Sequence, residues 1–200
     1  MHTFKLLLQP RDTTSTRTHA SPAALWYGLA PTPFGSGLIS WTEDGIVMLH
    51  LQQTGDPAPQ DLLGHRYPGS TLRPANQEAH KLMRRVFSPS FCDTQPQSAE
   101  PSPCLVLRGS PFQLLVWQSL MNIPFGEVRT YGELAASLGH PGAARAVGTA
   151  VASNTLAYVV PCHRVVRASG QRGQYRWGAE RKVQILDWEA RQLAQPLASR

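Results

Sequence analysis

The spacing of apolar positions changes about halfway along this chain. Up to Leu51 they come in short runs, Leu25–Leu29, Gly37–Trp41 and Ile46–Leu51, separated by Pro31–Pro33 and by Thr42-Glu43-Asp44-Gly45. Runs of this length between turn residues predict strands, with the second break a tight hairpin, so a small antiparallel sheet is expected. Asn76–Phe87 then places Ala79, Leu82, Met83 and Val86 at helical spacing, which predicts one amphipathic helix covering that sheet. Residues 9–24 carry Thr, Ser, Pro and Arg with no apolar period, and Ser88–Pro103 is rich in Pro and Ser. These stretches predict a mobile arm over 1–24 and a linker or loop over 88–107, on either side of an N-terminal domain at 25–87.

Beyond residue 108 the pattern is helical. Ser110-Pro111-Phe112-Gln113 is a capping box with Pro at the first helical position, opening a helix whose stripe is Phe112, Leu115, Val116, Ser119 and Leu120. A second box, Thr130-Tyr131-Gly132-Glu133, starts a helix with Tyr131, Leu134, Ala135 and Leu138 on one face. Gly139 stops it in the left-handed position, and His140-Pro141-Gly142 leads to a third helix over Ala143–Ser153. Helix, tight turn, helix is the helix-turn-helix arrangement. The third helix divides into Ala143, Val147, Ala150 and Val151 on one side and Arg145, Gly148, Thr149 and Ala152 on the other. Close helix packing would explain the small residues but not the arginine among them, whereas a nucleic-acid groove accommodates both. Leu156–Val160 and Val165-Val166 read as extended, and Gly170, Gly173 and Gly178 mark turns around Tyr175-Arg176-Trp177. The last helix takes Val183, Leu186, Ala190 and Leu193 as its stripe, with Glu189 at the edge, leaving a domain at 108–194 and a tail at 195–200.

Charge adds a direction to this picture. The net charge is +6, and residues 111–200 hold 10 basic groups against 5 acidic, while residues 1–110 are nearly balanced. Ala143–Lys182 alone has seven basic residues and one acidic. A field concentrated on one segment attracts a polyanion, nucleic acid first, although a plain solvated basic surface fits the charge alone. The charged fraction, 16%, excludes a charge-rich disordered chain and a coiled coil. The start shows no secretory signal, and no stretch approaches the about 18 apolar residues of a membrane span. An intracellular protein without membrane association is expected.

Three cysteines, Cys92, Cys104 and Cys162, leave at least one free thiol within the chain. Pro161-Cys162-His163-Arg164-Val165 is the most chemically loaded stretch. A nucleophilic cysteine needs a nearby base or positive charge, and this motif offers both. In an extended segment neighbouring side chains point to opposite faces, so contact between His163 and the sulfur would need a bend or a bridging water. A buried structural cysteine is the simpler reading of a lone Cys-His pair. Zinc is not expected, because no Cys-x-x-Cys or His-x-x-x-His spacing accompanies it.

Pro161-Cys162-His163-Arg164-Val165-Val166 resembles the active-site motif of the O6-alkylguanine-DNA alkyltransferases, the methylated-DNA-protein-cysteine methyltransferases. The resemblance runs from about Arg108 to Glu189. It includes Ile123-Pro124-Phe125-Gly126-Glu127, Tyr131, Arg145-Ala146-Val147-Gly148, Asn154 and Gly173-Gln174-Tyr175-Arg176-Trp177-Gly178. It implies an α+β fold, a small ribonuclease-H-like sheet-plus-helix domain followed by a mainly α, winged-helix-like DNA-binding domain. The first half matches that picture only in its order of strands and helix.

The resemblance also implies a reaction. A minor-groove helix-turn-helix flips the damaged base out of double-stranded DNA, and Cys162 takes the alkyl group from O6-alkylguanine, and from O4-alkylthymine, once per molecule. His163 is the implied base through a water, Glu189 orients it, and Asn154 ties the recognition helix to the active-site turn. Arg145 fills the vacated space; Ala143, Gly148, Thr149 and Ala152 face the DNA. Tyr131 crowds the phosphate and bonds the flipped base, in a pocket with Val151, Val165, Tyr175, Arg176 and Trp177. No cofactor and no metal are implied, and the protein is expected to act as a monomer, with clustering on DNA left open. The indole of Trp177 should narrow the pocket against large O6 substituents. Two rivals remain: a non-enzymatic sensor of alkylated DNA, which Cys162 argues against, and a helix-turn-helix transcription regulator, which would want polar base-reading residues on the third helix.

Overall fold

Gly45, at φ 141°, closes the expected hairpin between two antiparallel strands, and the sheet around it is larger than the sequence suggested. The structure is a computed structural model that describes residues 5–10, 21–88, 103–171 and 173–194. Among these residues a six-stranded sheet runs in the order β1 (Leu6–Pro10), β6 (Leu105–Gly109), β4 (Gly45–Leu51), β3 (Gly35–Thr42), β2 (Ala24–Thr32) and β5 (Thr71–Pro74). Helices α1 (Pro59–Arg66) and α2 (Asn76–Val86) complete the N-terminal half.

Two expectations are corrected here. The arm assigned to 1–24 contains β1, which pairs in parallel with β6 from Leu6 opposite Leu105 to Pro10 opposite Gly109. The stretch assigned to a linker up to residue 107 contains most of β6, so the sheet domain is not confined to 25–87. Both strands are short; β1 has only β6 beside it, nearly a hundred residues away in sequence, and β6 lies between β1 and β4. Cys92 lies outside the described residues.

The sheet is covered on both faces. Leu25, Tyr27, Leu38, Val47 and Met48 pack with Leu63 and Tyr67 of α1 and its end. On the other face α2 buries Ala79, Met83 and Val86. That helix rides so close to β2 that a Cβ on Gly28 would stand 2.6 Å from the Cβ of Ala79, so glycine is required there. The core under α2 continues without a break into the second half through Leu49, Leu51, Trp117, Leu134 and Val147.

The second half contains α3 (Pro111–Met121), α4 (Tyr131–Ser137), α5 (Ala144–Ala152), a 3₁₀ turn at Cys162–Arg164 and α6 (Ala179–Ala194), with a two-stranded ribbon of β7 (Arg129–Thr130) and β8 (Val165–Val166). Both capping boxes form: Ser110 accepts from the Gln113 amide at 3.2 Å and Thr130 from the Glu133 amide at 3.1 Å. Gly139, at φ 76°, ends α4, and α5 buries Val147, Ala150 and Val151 while Arg145, Thr149 and Ala152 stay exposed.

Two predicted stripes are rotated. Helix α3 buries Leu114, Val116, Trp117 and Leu120, and Leu115 is 42% exposed. It is apolar nearly all round, so its period could not choose a face; the Trp117 indole, donating to the Ala150 carbonyl at 2.8 Å, fixes it. Helix α6 buries Lys182, Ile185 and Glu189, while Ala190 and Leu193 are exposed. A charged buried face is stable only when its charges are partnered, and those partners form the site.

Candidate active site

β4 pairs with β6 at Ile46 opposite Leu105. Further along, Leu49 donates from its amide to the Thr155 carbonyl at 3.0 Å and accepts from the Ala157 amide at 2.9 Å. The segment that follows α5 is thus stitched to the N-terminal sheet. Two tight reversals follow, Val159 N to Ala157 O at 2.6 Å and Cys162 N to Val160 O at 2.7 Å. The residue inside the first, Tyr158, has φ 65°. A γ-turn of that hand is rare and strained for a non-glycine residue, and the packing of the Tyr158 ring against Phe87, 4.6 Å between centroids, and against Trp188 holds it.

The turns deliver Cys162 to Asn154. The Asn154 amide nitrogen shares its two N–H groups among the Leu156 and Val160 carbonyls and Cys162 Sγ, each at 3.1 Å, while its oxygen accepts from the Leu156 amide at 2.9 Å. One buried side chain therefore connects the end of α5, the reversal and the sulfur. The expectation of extended chain over Leu156–Val160 is corrected, since the first reversal occupies it, and the 3₁₀ turn at Cys162–Arg164 supplies the bend that turns His163 and Arg164 inward.

His163 and Arg164 converge on Glu189. His163 Nε2 lies 2.9 Å from Glu189 Oε1. Arg164 donates from Nε to both carboxylate oxygens at 3.1 Å and from Nη2 to Oε1 at 2.7 Å, while Nη1 reaches the Ile123 carbonyl at 2.7 Å. Glu189 Oε2 also accepts from the Gly126 amide at 3.1 Å. Burial alone would raise the Glu189 pKa, but the hydrogen bonds and charges of His163 and Arg164 outweigh it and hold the carboxyl at about 2. An ionised Glu189 accepts the proton on Nε2, which leaves Nδ1 as the acceptor nitrogen. That Nδ1 is buried and has no hydrogen-bond partner among the described residues. Burial lowers the His163 pKa, so the ring is neutral and able to take a proton. Its face stacks on Tyr158, with the rings 3° from parallel.

Burial pushes the Cys162 thiol up, opposed by the Asn154 hydrogen bond and by the charge of Lys182. Lys182 is itself buried, donates to the Val165 carbonyl at 2.5 Å, and is held at about 8 by desolvation, with the Cys162 charge pulling the other way. Neither Lys182 nor Arg164 was singled out from the sequence. Arg164 follows the motif histidine, and Lys182 lies seven residues before Glu189, two helical turns back on the same face; that spacing was the available signal.

A cavity of about 280 Å³ opens above the sulfur, lined by Tyr131, Gly148, Val151, Ala152, Cys162, Gln174, Tyr175 and Arg176. Tyr131 begins α4 and its ring lies against Gly148 of α5, so the helix-turn-helix forms one wall. Burial raises the Tyr131 and Tyr175 phenols, with the Cys162 charge adding to both. Gln174 was missed by the sequence reading. Trp177 and Val165 are corrections, because neither lines this cavity. The Trp177 indole is buried and points into the N-terminal half, donating to His50 Nδ1 at 2.9 Å. Arg176, stacked over the indole at 5.9 Å, takes the wall position instead, so the expected narrowing by Trp177 loses its basis. Val165 is turned inward and its carbonyl is engaged by Lys182. Ala143 and Arg145 lie at and just inside the start of α5, away from the thiol.

Fold and site together define a helix-turn-helix protein with a buried cysteine at the foot of a pocket lined by the helix-turn-helix and the Gln174–Arg176 turn. Residues 111–191 match the family model of the DNA-binding domain of 6-O-methylguanine DNA methyltransferase. The chain is 38% identical over 167 residues to the bifunctional transcriptional activator/DNA repair enzyme Ada of Escherichia coli, covering 84% of this chain and 46% of that one. It is 53% identical over 89 residues to the methylated-DNA-protein-cysteine methyltransferase of Mycobacterium leprae, covering 44% of this chain and 54% of the relative. The crystal structure of Mycobacterium tuberculosis OGT in complex with DNA superposes with a TM-score of 0.62 at 31% identity, covering 82% of this chain and 92% of that chain. The protein belongs to the O6-methylguanine-DNA methyltransferase family. It spans about half the length of the curated relatives it matches. Among the described residues no helix is long and apolar enough to cross a membrane.

Proposed function

We propose that the protein repairs DNA by direct reversal, moving the alkyl group of O6-alkylguanine onto Cys162 in a single turnover, one molecule per lesion. The observation that carries this is the position of the thiol. Cys162 is 4% exposed, and the cavity that reaches it is walled by Tyr131, Gly148, Val151 and Ala152 of the helix-turn-helix. A base still stacked in a duplex cannot enter such a pocket, whereas a flipped nucleotide can. Arg145, exposed on the outer face of α5, supports the flip by entering the space the base leaves. The small residues Gly148 and Ala152 let the helix backbone approach the DNA.

The chemistry follows from the hydrogen bonds. The Cys162 thiol gives its proton by way of water to His163 Nδ1, and Glu189 steadies the resulting charge from the other side of the ring. The sulfur attacks the alkyl carbon, forming a C–S bond as the carbon–O6 bond breaks, with the electron pair leaving on O6. The guanine that departs takes up one proton from the Tyr131 hydroxyl in the cavity wall, and water returns a proton to that oxygen as His163 gives up the one it took from the thiol, so no phenolate remains. Asn154 and Lys182 favour the thiolate at the moment it forms. The thioether has no route back to a thiol, so the protein is consumed. O4-alkylthymine presents the same kind of alkyl ether and belongs to the same substrate class.

The test is incubation with a duplex containing one O6-methylguanine, followed by mass mapping of the peptides. One added methyl on Cys162, and an unmodified Cys104, is the expected result. Unmodified protein that still binds the duplex would replace this reading with that of a damage sensor.

A further inference from the structure

The direction in which Trp177 points carries a second inference about the same site, and it rests on the alkyl-transfer reading. An indole N–H only donates. Its acceptor is His50 Nδ1, so that nitrogen is bare and the ring proton sits on Nε2, which meets Asp56 Oδ2 at 2.7 Å. Asp56 Oδ2 also accepts from the Gln53 amide at 2.8 Å. The donors run one way, from Trp177 to His50 to Asp56, and fix the histidine tautomer from both ends.

Trp177 sits inside a turn closed by Gly178 N donating to Tyr175 O at 3.0 Å, with Gly178 at φ 95°. The other two members of that turn, Tyr175 and Arg176, line the cavity above Cys162. Tyr175 meets the indole edge-on at 5.1 Å. The same stretch of the N-terminal half holds the turn at one further point and the first turn of α6 at another. Gln53 Nε2 reaches the Arg176 carbonyl at 3.4 Å, and Arg181 Nη1 donates to the Leu51 and Gln52 carbonyls at 3.2 and 2.8 Å. Cys162 is fixed chiefly by other groups, Asn154 and the 3₁₀ turn, with the Tyr175 hydroxyl as one further group acting on the thiol. The wall at Tyr175 and Arg176 is therefore tied to the His50–Asp56 stretch through Trp177, whereas the segment leading to Cys162 is tied to β4 at a different point, Leu49.

We propose that His50 is a positioning residue for the alkylguanine pocket. Acting through Trp177, it sets where Tyr175 and Arg176 stand relative to Cys162, and it touches neither the thiol nor the base. Losing the acceptor leaves the Trp177 N–H buried and unpaired, which releases the turn rather than the cysteine.

The experiment measures single-turnover methyl transfer from an O6-methylguanine duplex across protein concentration, for wild type, His50→Leu, His50→Gln, Trp177→Phe and the His50→Leu/Trp177→Phe double variant. Iodomethane labelling of Cys162 runs in parallel, since that reagent needs no guanine pocket. His50→Leu should lower the saturated rate about tenfold, the scale of one unpaired buried donor. His50→Gln, which keeps an acceptor and a donor at similar spacing, should restore it. Iodomethane labelling should slow less than transfer does, because Tyr175 is only one of the groups that oppose the effect of burial on the thiol, and the double variant should be no slower than the slower single one. Iodomethane labelling slowed as much as transfer, single effects that multiply, or no rescue by His50→Gln would each overturn the proposal. Should His50→Leu not fold, Trp177→Phe and His50→Gln carry the comparison. The Trp177 indole N–H resonance in ¹⁵N spectra, displaced by His50→Leu and restored by His50→Gln, judges the link with no reaction at all. An unmoved resonance overturns it, whereas a wild-type protein that transfers no methyl strikes the alkyl-transfer reading instead.

Discussion

Replacing Glu189 by Gln removes the charge on which three segments converge: the loop at Ile123–Gly126, the 3₁₀ turn and α6. A carboxyl held at about 2 in the folded state, against 4.5 for the ordinary group, stabilises the fold by about 3 kcal/mol at pH 7. That contribution is fully present above about pH 4.5 and is lost as the pH falls toward about 2. At pH 3, midway through this window, roughly 1.4 kcal/mol of it should remain. Breaking a buried pair from one side costs about 3–5 kcal/mol because the partner charge is stranded, and Arg164 is that partner here. Urea unfolding of wild type and Glu189→Gln at pH 7 and pH 3 measures both numbers. The expected gap is about 3 kcal/mol at pH 7 and less than half of that at pH 3. The same gap at both pH values would refute the reasoning, because it would mean that the ionised carboxylate contributes nothing beyond its shape.

Three other perturbations separate the parts of the site. Asn154→Ala strips a donor from Cys162 and leaves the Leu156 and Val160 carbonyls short of one, so stability should drop by about 1–3 kcal/mol in urea unfolding and transfer should slow; an unchanged rate would release Asn154 from its role. Arg145→Ala, at an exposed position, should change stability by less than about 0.5 kcal/mol yet slow transfer from duplex DNA much more than transfer from free O6-methylguanine base, and equal slowing of both would count against the flipping role. Lys182→Met withdraws the positive charge that opposes the upward push of burial on the thiol, so the pH midpoint of Cys162 labelling by iodomethane should rise, and a midpoint that stays put or falls would remove Lys182 from the thiolate's support.

The helix-turn-helix was legible because its signals are local. Two capping boxes, a left-handed Gly139 and small residues on the outside of α5 each act within a few positions, and the observed helices begin and end at them. The active-site motif was legible for the same reason, as six consecutive residues. The α6 stripe was misread because periodicity counts a charged residue as exposed, and Lys182 and Glu189 are buried on account of a carbonyl and a guanidinium that α6 does not contain. Trp177 was assigned to the pocket by the family resemblance over Tyr175-Arg176-Trp177, but adjacent side chains on a tight turn diverge, and its indole follows the acceptor on His50.

From the sequence alone came the helices of the second half and the candidate-site motif, because caps, turns and motifs are properties of neighbouring residues, whereas the charge count did not show that Arg164 and Lys182 are buried. The tertiary structure decided which strands pair at the edge of the sheet, which charges are buried and which side chains face the cavity. Those outcomes depend on groups that meet across more than a hundred positions of chain, 127 for Trp177 and His50. A donor or an ion can be buried only where its partner is brought to it, and local sequence does not contain that partner.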